Sequence, residues 1–256
     1  MLKSLRVRVS QGSQYIPELR SFVPAGFRGL PLISEGACLS GCTACQTVCP
    51  TKAISLDPIR IDLGRCVFCG ECAPACPEKK IEYTSQVRMG SATLEGLMVT
   101  EGQKSLSPVA TSAALKKMFG RSLKMRQVSA GGCNGCEAEL NAVANVNFDL
   151  QRYGIEWVAS PRHADALVLT GPLTRNMADA VELAWDAMPE PRFIVAVGAC
   201  TISGGLYEES SALDRTFLSR FSPTLYVPGC PPHPLTFVAA ILDLLGIQRG
   251  DAEISK

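Results

Sequence analysis

The second half of the chain alternates two kinds of apolar pattern. Short apolar runs are typical of buried strands, and they lie at 123–129, 155–159, 165–170, 192–198 and 224–227. Between them apolar residues recur at helical spacing, most clearly in 176–188 and in the segment that ends at Gly246. Strands that alternate with helices predict an α/β domain built on a doubly wound parallel sheet, which we assign to residues 121–256.

The first part of the chain contains an internal repeat. Four cysteines of one copy recur 27 or 28 positions later in the next, so that Cys38, Cys42, Cys45 and Cys49 are followed by Cys66, Cys69, Cys72 and Cys76. The residues after the last cysteine of each copy are also similar. We therefore predict two loop, helix and strand units related by a pseudo-twofold axis, in a small α+β domain at 1–84.

Residues 85–120 connect these two domains. The segment 84–106 has no sustained period and is interpreted as a linker. The segment 107–119 is predicted to be a helix, with Ser107 and Pro108 at its start and Gly120 at its end.

The composition narrows the function classes. The 256 residues are 46% hydrophobic and carry a net charge of +1, so no global charge steers the chain toward nucleic acid or an anionic membrane. The longest apolar stretch, 235–245, is about half of the ~20 residues that cross a bilayer, and the first residues lack the apolar core of a signal peptide. We therefore expect a cytoplasmic protein, in which the 12 cysteines hold metal rather than form disulfides.

The spacing within the repeat indicates the metal. Its second copy has the form Cys66-x2-Cys69-x2-Cys72-x3-Cys76-Pro, the run that holds [4Fe–4S] clusters in bacterial ferredoxins. Structural zinc is the alternative, but it usually takes two Cys-x2-Cys pairs with a longer separation.

Residues 32–84 thus resemble the two-cluster ferredoxin family. The resemblance implies that the last cysteine of each copy crosses to the other cluster. One cluster would be held by Cys38, Cys42, Cys45 and Cys76, and the other by Cys66, Cys69, Cys72 and Cys49. The first copy has one residue more than the family pattern between its first two cysteines, so a bulged loop is expected at 39–41.

The remaining four cysteines each follow a predicted strand. Cys133 and Cys136 follow 123–129, Cys200 follows 192–198, and Cys230 follows 224–227. The carboxyl ends of parallel strands share one edge of the sheet, where ligands bind, and glycines and prolines surround all four. Four unrelated buried thiols are the alternative.

The motifs around these cysteines are more specific. GGCNGCE (131–137), SPRHAD (160–165), TGPLTR (170–175), GAC-x2-SGG (198–205) and PGCPP-x-P (228–234) resemble the small subunit of energy-converting, membrane-bound [NiFe]-hydrogenases, including formate hydrogenlyase. They are similar, more distantly, to the cluster N2 subunit of respiratory complex I, which usually has adjacent cysteines at 133–136. The resemblance covers about 121–246 and implies a flavodoxin-like sheet and a third, proximal [4Fe–4S] cluster on Cys133, Cys136, Cys200 and Cys230.

The resemblance also implies the function. We expect an electron-transfer subunit of an oxidoreductase that relays electrons through three [4Fe–4S] clusters to a NiFe large subunit for proton reduction. Formate dehydrogenase or ferredoxin would be the donor, and membrane subunits would hold the chain on the inner face of the membrane. No complete active site is expected in this chain. A complex I-like quinone oxidoreductase and a non-catalytic redox sensor remain alternatives.

Five polar residues near the cysteines are secondary candidates. His163, His233 and Arg162 could hydrogen-bond near a cluster, and ordinary roles in loops and turns are the alternative. Glu137 and Glu139 could relay protons, or stabilise the start of a helix. No phosphate-binding loop, dinucleotide fingerprint or nucleophile elbow occurs.

Overall fold

The computed structural model describes residues 2–12, 15–19, 22 and 24–247. The strands are β1 (Pro31–Ile33), β2 (Ile54–Leu56), β3 (Ile59–Asp62), β4 (Ile81–Tyr83), β5 (Met98–Thr100), β6 (Leu123–Ser129), β7 (Ile155–Trp157), β8 (Ala166–Thr170), β9 (Phe193–Val197) and β10 (Leu225–Val227). The α-helices are α1 (Leu2–Gln11), α2 (Ala44–Thr47), α3 (Cys72–Ala75), α4 (Ala113–Phe119), α5 (Gly135–Ala142), α6 (Arg175–Asp186), α7 (Ala199–Ser203), α8 (Thr216–Arg220) and α9 (Pro234–Leu244). Short 3₁₀ helices lie at Glu95–Leu97, Leu150–Tyr153, Pro161–His163 and Gly205–Tyr207.

The five predicted strands form one parallel sheet, here called the main sheet. Its order is β10-β9-β8-β6-β7, and every neighbouring pair is parallel. Because β7 lies on one side of β6 and the later strands lie on the other, the connections reverse direction between β6 and β8. This order is that of a flavodoxin-like sheet, whose ligands bind at the reversal point. The predicted α/β fold class is confirmed.

The main sheet is covered on both faces, which is why its central strands are continuous apolar runs. All five residues of β8 and of β9 are buried. Successive side chains of a strand point to opposite faces. Accordingly, Ala166 and Val168 pack with residues of α5 and α9, whereas Leu167 and Leu169 pack with residues of α6 and α8.

The cysteine repeat folds as two small antiparallel sheets. Strand β1 pairs with β4, and β2, β3 and β5 form a three-stranded sheet. Their buried side chains form a separate core that includes Ile54, Ile61, Ile81 and three cysteines. The two-sheet arrangement follows from the repeat, since β2 and β4 occupy matching positions in its two copies.

The segment 85–120 is more ordered than the linker and helix that the sequence predicts. It contributes β5, which pairs with β3, and Ser91 forms an antiparallel bridge with Tyr226 of β10. The predicted helix at 107–119 begins only at Ala113, so the predicted start at Ser107 is wrong. The reason is tertiary: Thr111 and Ser112 donate hydrogen bonds to the carbonyls of Asp243 and Leu244 at the end of α9, which keeps this part extended.

The repeat and the main sheet contact each other directly. Ile202, after β9, packs against the core of the repeat. Arg65 donates two hydrogen bonds, of 2.5 and 2.6 Å, to the carboxylate of Glu208. Among the described residues, no helix is both long enough and apolar enough to cross a membrane.

Candidate metal centres

The two copies of the repeat have matching backbone geometry. Lys52 and Lys79, which occupy equivalent places in the two copies, both have positive φ angles, of 52° and 50°. The amide that follows each of them donates to a cysteine: Ala53 N lies 3.2 Å from Sγ of Cys49, and Lys80 N lies 3.4 Å from Sγ of Cys76. Amide N–H groups that point at sulfur are the contacts that stabilise a metal-bound thiolate.

The first cysteine set, predicted to be Cys38, Cys42, Cys45 and Cys76, is partly brought together. Burial raises the pKa of Cys45, and the neighbouring Cys76 and Cys38 raise it further. Cys76 therefore lies beside the other copy's cysteines, as the crossover pattern requires. The extra residue of the first copy lies in a turn, in which Cys42 N donates to the carbonyl of Leu39 at 3.0 Å.

The second cysteine set, predicted to be Cys49, Cys66, Cys69 and Cys72, lines a single cavity together with Tyr83. Burial raises the pKa of Cys66 to about 12, and Cys72 and Cys49 add to the effect. The cross-over cysteine of this set is thus also close to its expected partners. Phe68 N donates to Sγ of Cys66 at 3.3 Å.

Tyr83 is a polar side chain in contact with the second set, and the sequence motifs do not point to it. Its hydroxyl lies 3.4 Å from Sγ of Cys72, and its side chain lines the same cavity as Cys66. Arg28 holds the same loop: its Nη1 donates to the carbonyls of Phe68 and Cys69, at 2.9 and 2.5 Å.

The third cysteine set, Cys133, Cys136, Cys200 and Cys230, gathers at the carboxyl edge of the main sheet, at the reversal point. Burial, then Glu137, then the other three cysteines raise the pKa of Cys136 to about 12. Burial, Cys230 and Cys133 raise the pKa of Cys200 to about 11. Residues almost 100 positions apart are therefore neighbours.

Glycine is required where the backbone approaches these sulfurs. Gly198 has a φ of +87°, and a Cβ there would lie 2.7 Å from Sγ of Cys136. A Cβ on Gly205 would lie 3.3 Å from Sγ of Cys200. A side chain at Gly198 would therefore displace the thiol of Cys136.

The chemistry of the thiol sets fits an iron–sulfur core. Iron binds the thiolate form, and crowded, buried thiols resist losing their protons unless a cation compensates the charge. Within the described residues, no group of three or more His, Cys, Asp or Glu side chains could hold a metal ion. A [4Fe–4S] cluster takes one cysteine thiolate at each of its four irons, and each of the three sets offers four cysteines.

Arg215 was also missed, and it supports the third set. Its guanidinium donates to four carbonyl oxygens, those of Pro172, Cys200, Thr201 and Ile202, at 2.7 to 3.2 Å. This fixes the end of α7, whose first turn carries Cys200. Only the tertiary structure identifies this residue, because no local motif contains it.

Of the two secondary glutamates, Glu137 has a defined role. It is buried at the reversal point, where the hydroxyl of Thr170 donates to it at 2.6 Å. Burial alone would raise the pKa of Glu137, but hydrogen bonds from Ser129 and Thr170 bring it below its usual value. Burial raises the pKa of Glu139, which is half-buried.

The histidines and Arg162 have structural or exposed positions. Nδ1 of His233 accepts from Leu235 N at 3.1 Å and so caps α9, while the ring packs against Phe27. His163 and Arg162 are exposed in a 3₁₀ turn.

Comparison with known proteins agrees with this division. The profile of the family described as NADH ubiquinone oxidoreductase, 20 Kd subunit, here called the oxidoreductase subunit family, matches residues 133–244, and that of the 4Fe-4S dicluster domain matches 37–81. A probable membrane-bound hydrogenase subunit, mbhJ, of Pyrococcus furiosus is 41% identical over 48% of this chain and 73% of its own length. The chain belongs to the oxidoreductase subunit family.

Two further relatives from oxidoreductase complexes are informative. Formate hydrogenlyase subunit 7 of Escherichia coli is 38% identical over 56% of this chain and 59% of its own length. NAD(P)H-quinone oxidoreductase subunit K of a Picosynechococcus strain is 38% identical over 43% of this chain and 45% of its own length. The chain thus spans about half of each of these two relatives.

Membership of the oxidoreductase subunit family confirms the resemblance predicted from the motifs. It also confirms the predicted electron-transfer subunit of the oxidoreductase class, related to membrane-bound hydrogenase and formate hydrogenlyase subunits, and the presence of 4Fe-4S chemistry. The third cysteine set lies within the family's part of the chain, and the repeat is a dicluster domain joined to it.

Proposed function

We propose that this chain holds three [4Fe–4S] clusters and serves as the electron relay of a hydrogenase-type membrane complex. A [4Fe–4S] cluster takes up and releases electrons, and the protein supplies its ligands, insulation and orientation. The observation that carries the proposal is the convergence of Cys133, Cys136, Cys200 and Cys230 at the reversal point of the main sheet. These cysteines lie in the part of the chain that matches the oxidoreductase subunit family, after the part that matches the dicluster domain.

The proposed ligands are the three sets described above. Their neighbourhoods support the crossover assignment, since Cys76 lies beside Cys45 and Cys49 lies beside Cys66. We propose domain limits of 1–84 and 121–256, joined by 85–120.

The interface supports an order for the relay. Arg65, which immediately precedes Cys66, pairs with Glu208, and Glu208 follows the loop of Cys200. A cleft between Thr51, Lys52, Gly205 and Glu209 lies at the same contact. The second set therefore stands nearer than the first to the third, and electrons that enter at the first set would pass it on the way.

The proposed electron acceptor is a NiFe-type large subunit. Cys133 and Cys230 are exposed in this chain, so the edge that carries them suits the surface of a catalytic partner. Membrane subunits of the complex would hold the chain at the inner face of the membrane. The proposed donor is formate dehydrogenase or reduced ferredoxin.

Anaerobic purification of the tagged chain with its partners tests the proposal. We expect about 12 irons and 12 sulfides per chain, from four of each per cluster, three reducible paramagnetic centres, and a co-purifying nickel protein that evolves hydrogen from a reduced dye. Zinc in place of iron would contradict the cluster assignment. Iron without nickel, together with quinone reduction, would favour the quinone oxidoreductase.

A further inference from the structure

The internal repeat provides a comparison within one molecule. Strands β2 and β4 occupy matching positions in the two copies and have the same succession of buried, exposed and half-buried residues. Their last residues are Leu56 and Tyr83. The repeat therefore places a hydrocarbon in one copy where the other copy has a hydroxyl.

The hydroxyl of Tyr83 faces the second cysteine set. It is 3.4 Å from Sγ of Cys72, and Tyr83 lines the same cavity as Cys66. Once these cysteines are thiolates, they can only accept, so the tyrosine donates. Leu56, which packs in the same core, has no group to donate.

Fixed charges reinforce the difference. Arg28 binds two carbonyls of the second set's loop, and its guanidinium carbon lies 5.9 Å from the centre of the Tyr83 ring. Near the first set, the cation is Lys80, which is buried, donates to the carbonyl of Gly36 and forms an ion pair of 2.6 Å with Glu101. The positive charge of Lys80 near the first set is therefore compensated by Glu101, whereas Arg28 near the second set binds neutral carbonyls.

We propose that Tyr83, held in place with Arg28, makes the cluster on the second set easier to reduce than the cluster on the first. Reduction adds negative charge to the cluster and its thiolates, and a hydrogen bond to a ligand sulfur stabilises that charge. Electron transfer from the first cluster to the second is then favourable, and the second cluster is the one nearer to the third set. This inference rests on the proposed function.

The test is a redox titration of the purified complex, followed by electron paramagnetic resonance, for wild type and Tyr83→Phe. Phenylalanine keeps the ring and removes the donor. At a fixed ambient potential, we expect the reduced-to-oxidised ratio of the second cluster to fall about fivefold, as for loss of one hydrogen bond, and that of the first cluster to stay unchanged. A Cys69→Ser variant identifies the signal of the second cluster.

Two further variants sharpen the result. Leu56→Tyr places a hydroxyl at the matching position, and we expect it to raise the same ratio for the first cluster. Tyr153→Phe is the control. Tyr153 stacks on Arg152, and its replacement should change neither ratio.

The outcomes separate the two proposals. If the midpoint potential of the second cluster is unchanged in Tyr83→Phe at wild-type iron content, the proposed role of Tyr83 is wrong, while the proposed electron relay still stands. Wild-type protein without the two ferredoxin-type signals would refute the proposed function and this inference together.

Discussion

Arg215 donates a hydrogen bond of 3.1 Å to the carbonyl oxygen of Cys200. The same guanidinium also binds the carbonyls of Pro172, Thr201 and Ile202. A single half-buried cation thus ties the turn that carries Cys200 to the loop after β8. This contact joins the ends of β8 and β9 and so fixes the position of Cys200 within the third cysteine set.

Replacement of Arg215 by Gln is expected to loosen this turn. Glutamine is too short to reach four carbonyls, and buried acceptors left without donors destabilise a fold by about 1–3 kcal/mol. We expect a loss of about 2–3 kcal/mol in the free energy of unfolding and a selective loss of the third cluster signal. Denaturant titration and paramagnetic resonance measure the two effects.

Arg220→Gln is the matched control. Arg220 is half-exposed and pairs with Glu182, and surface pairs contribute about 0–1 kcal/mol. A loss as large in Arg220→Gln as in Arg215→Gln would show that the effect of Arg215 is not due to its carbonyl contacts.

Each cysteine set is expected to be lost independently. Cys133→Ser should abolish electron delivery to the partner while the two ferredoxin-type signals persist, because the third set follows strands of the main sheet, whose core is separate from that of the repeat. Cys69→Ser should remove the signal of the second set and leave the signals of the first and third sets. Iron analysis should show a loss of about four irons in each case. Simultaneous loss of all three signals in Cys133→Ser would argue against separate sites.

The sequence predicted the parts of the structure that local pattern determines. Strands β8 and β9 were the clearest to identify because a strand covered on both faces is a continuous apolar run. The cysteine sets could be grouped because their spacing is set within short loops and by the common edge of parallel strands. Both inferences use only residues that are close in sequence, or a rule of topology.

The contacts that sequence reasoning missed join distant segments. Arg65 and Glu208 are 143 positions apart, and Arg28 binds the carbonyl of Cys69 from 41 positions away. The helix start at Ser107 failed for a similar reason. Ser107 and Pro108 are residues that commonly begin a helix, but Thr111 and Ser112 donate hydrogen bonds to carbonyls at the end of α9, so the helix begins after them. Tertiary hydrogen bonds overrode local preference.

The ion pair between Arg65 and Glu208 is expected to hold the repeat against the main sheet. Both side chains are about one-third exposed, and the contact is bidentate, so we expect a coupling of about 1 kcal/mol in a double-mutant cycle. Glu208→Arg should weaken the magnetic interaction between the second and third clusters, and the double change with Arg65→Glu should restore it.

The neighbouring pair of Lys52 and Glu209 is the control for this cycle. Their side chains are 74% and 80% exposed, so the same cycle on this pair should give no measurable coupling. Equal coupling in the two pairs would mean that only overall charge matters at this contact.

His233 is expected to make stability depend on pH. Burial lowers its pKa in the folded chain, so the folded state favours the neutral ring that caps α9 through Nδ1. The unfolded chain takes up a proton near pH 6.5, so the contribution of His233 is fully present above that pH. It should decline as the pH falls below about 6.5 and level off below the folded pKa. His233→Asn, which keeps a capping acceptor, should remove this part of the pH dependence of the free energy of unfolding. The exposed His163→Gln should leave it unchanged, and an identical pH profile for wild type and His233→Asn would show that His233 is not responsible.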